Sequence, residues 1–163
     1  MADSLCSRYN RRMTTQHYSI QINAPKEKVW DTMLDQDTYR EWTRAFNEGG
    51  RFEGSWDQGS KILFIGPDPE TGKDGGMVSR IKENRLYEFV SIEHLGIMKN
   101  GVEDTTSEEA KKFAPAYENY TFTEKDGVTE VTVDIDVAEE FADFFAETWP
   151  KGLAKVKEIS ERP

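Results

Sequence analysis

Apolar residues recur with two different periods along this chain, and the switches between them mark its elements. Tyr18, Ile20 and Ile22 alternate with polar neighbours, the spacing of a strand with one buried face. Pro25 then suits the first position of a helix, where its missing N–H costs nothing. Val29, Trp30, Met33 and Leu34 fall on one side of that helix, with Lys26, Lys28, Asp31 and Asp35 facing water. A second short helix carries Tyr39 and Trp42, with Asp37 as its expected cap. The spacing places these two helices as a V under a sheet.

From Gly49-Gly50 onward the period is that of strands. Arg51 to Trp56 and Lys61 to Ile65 form a predicted hairpin around Asp57-Gln-Gly59, followed by a turn-rich connection over 66–76. Met77 to Lys82 and Leu86 to Leu95 are predicted strands joined by a turn near Asn84. Residues 98–115 are polar and long for a hairpin loop, and Thr106-Ser-Glu-Glu109 offers a capping box for a short helix there. Tyr117 to Thr123 and Val128 to Val137 form the last hairpin, with Asp126-Gly127 in its turn. Val131, Val133, Ile135 and Val137 point one way in its second strand, and Thr132, Asp134 and Asp136 the other. A final helix over about 138–160 carries Phe141, Phe145, Trp149, Leu153 and Val156 on one stripe, with a kink expected at Pro150. The class is α+β: about seven antiparallel strands curved around a long C-terminal helix, with two short helices after the first strand.

Length makes 14–163 a single domain, large enough to bury roughly two thirds of its unfolded surface. Residues 1–13 lack periodicity and are expected to be a flexible lead, with Met13 as an alternative start. Net charge is −10, and no basic stripe offers the counterion release that nucleic-acid binding draws on. The same acidity disfavours anionic lipid surfaces, and no apolar run approaches a membrane span. Cys6 is the single cysteine, which excludes an intramolecular disulfide and suits a cytoplasmic setting. The Asn119-Tyr-Thr121 acceptor pattern falls within a predicted strand and is read as chance.

The order of elements resembles the START-like, or Bet v allergen-like, helix-grip superfamily (SRPBCC). Ile22-x-Ala24-Pro25-x-x-x-Val29-Trp30, Trp42, the hairpin from Gly54 to Gly59 and Trp149-x-x-x-Leu153-x-x-Val156 carry the resemblance, over about residues 16–161. Within the superfamily they are most similar to the group related to the C-terminal domain of the activator of the heat-shock chaperone ATPase. Pro150 and the loop over 98–115 depart from that pattern. The resemblance implies a strongly curved sheet and a hollow between sheet and final helix.

Candidate chemistry is sparse. His17, at the start of the first strand, reads as exposed. His94 is the stronger candidate for orienting a ligand or moving a proton; only one of Glu93 and His94 can enter the hollow, because strand neighbours face opposite sides. Glu118 shares a strand face with Tyr120 and Phe122, and a carboxylate enclosed by aromatics is pushed toward its neutral form. Tyr39, Tyr87 and Tyr117 offer further hydroxyls. Asp134 and Asp136 share a face but lack a third metal ligand, and the glycine-rich 66–74 segment lacks phosphate-loop spacing. No cofactor is implied. Trp42, Trp56, Phe64, Phe89, Phe141, Phe145 and Trp149 either fill the core or line the hollow.

The expected function is to bind a small apolar or amphipathic molecule, with these rings plus His94, Glu118, Tyr120 and Phe122 around it. The alternatives are a cyclase or aromatase-like enzyme, or a chaperone-activator-like interaction module. A protein partner or a homodimer is compatible with the surface.

Overall fold

Strand β1 spans Met13–Ile22 and pairs along its whole length with β8 (Val128–Ala138), Met13 facing Ala138. The computed structural model describes residues 13–163, so the expectations on residues 1–12 lie outside the described residues. Helix α1 (Lys26–Leu34) follows Pro25, which stands one position before the helix rather than inside it. Its φ of −64° aims the chain into the helix, and its carbonyl accepts from the Val29 N–H at 3.2 Å. Val29, Trp30, Met33 and Leu34 are all buried. Helix α2 (Gln36–Trp42) begins after Asp35, and Asp37 lies in its first turn instead of capping it. There its charge complements the helix dipole. A 3-10 turn over Thr43–Ala45 continues α2.

Strands β2 (Arg51–Gly54), β3 (Lys61–Pro67), β4 (Asp74–Arg85) and β5 (Phe89–Lys99) form an antiparallel meander. The β4–β5 turn lies beyond the position expected from Asn84. Asn84 stays in the strand because its Nδ2 donates to the Trp56 carbonyl at 2.8 Å, and the reversal comes at Tyr87, with φ 63°. The loop over 98–115 carries a short strand β6 (Val102–Asp104) and helix α3 (Glu108–Lys111). Ser107, not Thr106, caps α3, its Oγ accepting from the Ala110 N–H at 3.1 Å. Strand β7 (Ala116–Lys125) joins β8 through Asp126-Gly127, whose φ values of 53° and 80° give the mirror-image turn that suits strand twist.

The eight strands form one sheet in the order β1-β8-β7-β5-β4-β3-β2, with β6 added on β5. At Gly76 (φ 144°) a Cβ would stand 1.9 Å from the Phe64 carbonyl oxygen, so β3 and β4 come this close only because the residue is glycine. One irregularity matters for facing. Ser79 pairs with His94 but Val78 pairs with Gly96, leaving Leu95 as an extra residue in β5.

Helix α4 (Ala142–Ser160) follows a 3-10 turn over Glu139–Phe141 and runs unbroken through Pro150. Ala138, where the final helix was expected to start, still belongs to β8. Leu153 and Val156 are buried against a core that includes Val131, Val133, Ile92 and Met33. Among the described residues, no helix is long and apolar enough to cross a membrane.

Replacing Leu153 with Ala should lower the unfolding free energy by about 2–5 kcal/mol in urea titration, the range for emptying a packed leucine site. Phe144→Ala, at a residue 48% exposed, should stay within about 0.5 kcal/mol of the unaltered protein.

Candidate ligand cavity

Helix α4 is buried only over its second half. Every buried residue in it lies from Thr148 onward, while Phe145 is half-buried and Phe141 and Phe144 are exposed. The first half therefore overhangs the concave face of the sheet and packs there only in part, through Ala142 and Phe145. Beneath the overhang lies an open hollow of about 730 Å³, bounded by β3, β4, β5, β7 and β8 on one side and by α2 with its 3-10 turn on the other.

Trp42, Phe64, His94 and Glu118 line this hollow, as do Tyr120, Phe141, Phe145 and Trp149. Three expected residues lie elsewhere. Phe122 packs under α1, 5.1 Å from the Trp30 ring, because β7 runs beyond the hollow into the space that α1 covers. Trp56 belongs to a ring cluster with Tyr39, Phe52 and Phe64, behind the lining. Phe89 lies beneath the Arg85 guanidinium, 4.9 Å from its ring centre, at the far end of β5. Phe46 lines the hollow and was missed, although its place four residues after Trp42 continues that helical face. Ile97, Ala116, Ile135 and Val137 also line it. His94 and Ile97 share the cavity side despite opposite parity, since the extra Leu95 reverses the alternation.

The polar groups converge at one end. His94 Nδ1 lies 2.7 Å from Ser79 Oγ, on a serine that is fully buried, and this contact fixes the ring. His94 Nε2 lies 3.4 Å from Glu118 Oε1, and the Tyr120 hydroxyl donates to Glu118 Oε2. Ser79 is the member no sequence signal indicated, because its pairing with His94 depends on the β-bulge. Burial pushes the Tyr120 hydroxyl well above its usual range, and the Glu118 charge adds to this; the Tyr39 hydroxyl is raised by the same two causes.

The remaining candidates lie on the outer surface of the sheet or at the rim, except Tyr87, which packs against the core. Glu93 accepts from Arg80 at 2.8 Å and from the Tyr117 hydroxyl at 3.0 Å, on the side opposite His94. Tyr87 stacks edge-on against Trp30. His17 contacts Asp134 at 2.5 Å, on the exposed face. Asp136 accepts from Thr15 at 2.7 Å and from the Tyr117 N–H at 3.0 Å, and borders the cavity. Arg51 clamps Asp74 at 2.9 Å near the mouth and holds that carboxyl below its usual range through the hydrogen bond. Among the described residues, no three histidine, cysteine or acidic side chains gather as a metal-ligand set.

No protein-family model and no curated protein matches the sequence. The fold is similar to that of protein Mll3558 from Rhizobium loti, at 11% identity and TM-score 0.68, over 91% of this chain and 97% of that one. It is also similar to ChR145 from Cytophaga hutchinsonii, at 19% identity and TM-score 0.64, over 91% and 94% of the two chains. DynU16, a protein in the dynemicin biosynthetic locus, matches at 14% identity and TM-score 0.61, over 88% of this chain and 46% of its own. These likenesses support the architecture of one curved antiparallel sheet with a long C-terminal helix. At such identities they carry the fold alone.

The raised tyrosines make alkaline stability a readout of the cavity wall. An unfolded tyrosine ionises near pH 10 whereas the buried ones keep their protons, so the unfolded state is favoured as pH rises past that value. Urea titrations between about pH 9 and 11 should show stability falling, by up to about 1.4 kcal/mol per pH unit for each such tyrosine. Tyr39→Phe or Tyr120→Phe should each flatten that fall.

Proposed function

We propose that the chain binds a small apolar or amphipathic molecule in the hollow between the sheet and the overhanging half of α4. The observation that carries this reading is the joint lining of one cavity by Trp42, Phe46, Phe64 and Trp149 with His94, Glu118 and Tyr120 at one end. Apolar rings with a few convergent polar groups form the usual composition of a small-molecule site. Removing ligand surface from water contributes about 25 cal/mol per Å² before the costs of association are subtracted. Exposed Phe141 and Phe144 at the mouth extend the apolar surface outward, which eases the entry of a poorly soluble guest.

An acid–base enzyme of the cyclase or aromatase type is the second reading, favoured by the connected Ser79, His94, Glu118 and Tyr120 groups. Ser79 is sealed beneath the imidazole, so it acts as a positioning group and not as a nucleophile. The chaperone-activator-like reading draws on the resemblance carried by Ile22 to Trp30, Trp42, Gly54 to Gly59 and Trp149 to Val156. A pull-down retaining no chaperone would remove it. A cytoplasmic setting belongs to the same proposal.

Native mass spectrometry and displacement of a neutral dye should show uptake of lipids or aromatics. Ala116→Phe adds a ring at a lining position of β7 and should abolish dye uptake, with retention of the fold checked by circular dichroism. Uptake undiminished in that variant would move the binding site elsewhere. If the chain is a cyclase, replacing both His94 and Glu118 by alanine should cut turnover by about 10²–10⁴-fold, and unchanged turnover ends that reading.

A further inference from the structure

The polar end of the cavity is acidic, and this restricts the head group it can accept. Glu118 Oε2 is engaged by the Tyr120 hydroxyl, whereas Oε1 has His94 Nε2 at 3.4 Å, longer than a normal N–H donor distance. A carboxylate has about four acceptor positions, so Oε1 keeps room for a stronger donor. The Glu118 side chain is 16% exposed and borders the hollow, so a ligand can reach it. Two cations on the lining are already engaged: Arg51 by Asp74 at 2.9 Å and Lys99 by Glu109 at 3.4 Å. Asp68 also borders the hollow, its carboxylate accepting from the Glu70 and Thr71 N–H groups.

The rings point to the same chemistry. Tyr120 and His94, which contact Glu118, pack in turn against Trp149 and Phe64, each at 6.1 Å between ring centres. Aromatic faces attract ammonium groups, most strongly where water is excluded. A guest carboxylate would instead bring a second negative charge beside Glu118 in a poorly solvated space.

We infer that the cavity selects a lipophilic amine, its ammonium donating to Glu118 Oε1 and its apolar body lying among Tyr39, Trp42, Phe64 and Trp149. The inference rests on the cavity-binding reading above and assigns that site its ligand class. A neutral alcohol of the same chain length lacks the charge, and the corresponding carboxylate carries the wrong one.

The test is displacement of Nile red by octylamine, octanol and octanoate at neutral pH and low salt. Octylamine should bind at least about tenfold more tightly than octanol, with octanoate the weakest. Glu118→Gln, which keeps the side chain's shape, should remove the amine preference. An amine no tighter than the alcohol, or a preference that survives in Glu118→Gln, overturns the inference. If the variant fails to fold, the ratio measured on the unaltered protein decides alone. Nile red failing to enter at all would instead overturn the cavity-binding reading, so the two failures are distinguishable.

Discussion

The contact of Trp149 with the concave sheet sets where the core ends and where the hollow begins. Its ring lies 4.9 Å from Phe46, 5.9 Å from Trp42, 6.1 Å from Tyr120 and 6.3 Å from Tyr18. One side chain thus ties α4 to the α2 segment, β7 and β1. Toward the C-terminus the helix descends onto the sheet through Leu153, Val156 and Ile159. On the other side the sheet curves away, and the bulky Phe141, Phe144 and Phe145 border the space without filling it. Gly152 lets the helix come this close: a Cβ there would stand 2.9 Å from the Phe46 ring.

The polar cluster borders the hollow beneath the loosely packed half of α4. A carboxylate sealed in the packed half would lose its hydration with nothing to replace it. At the edge of the hollow, Glu118 keeps partial access to water while the Tyr120 hydroxyl donates to it and His94 Nε2 stands 3.4 Å away. The same placement makes it available to the ligand proposed above. Stability and binding therefore make compatible demands here: the groups hardest to bury lie where the fold leaves space.

Alternation and helical periodicity made much of the fold legible. Val131, Val133, Ile135 and Val137 are buried on one face of β8 as their spacing indicates, and α1 buries the four residues on its apolar stripe. The Asp126-Gly127 turn carries its own conformational signature. The departures come from tertiary partners that local rules omit. Asn84 is a turn former by type, yet a hydrogen bond to the Trp56 carbonyl keeps it in β4. Ser107 takes the cap of α3 while Asp104 accepts from the Thr106 and Ser107 N–H groups, shifting the helix start by one residue.

For the cavity, the sequence by itself determined which rings and polar groups exist and which of them share a strand or helix face. Glu118 and Tyr120 share a side through the two-residue repeat of a strand, and Trp42 and Trp149 lie on the apolar stripes of their helices. Which of those rings border empty space was decided only by the tertiary structure. Phe122 and Glu118 have the same facing, yet α1 covers one and leaves the other open, because cover depends on where a helix distant in sequence comes to rest. The bulge at Leu95 places His94 opposite Ser79, a pairing set by the register between strands that no periodicity within a single strand encodes.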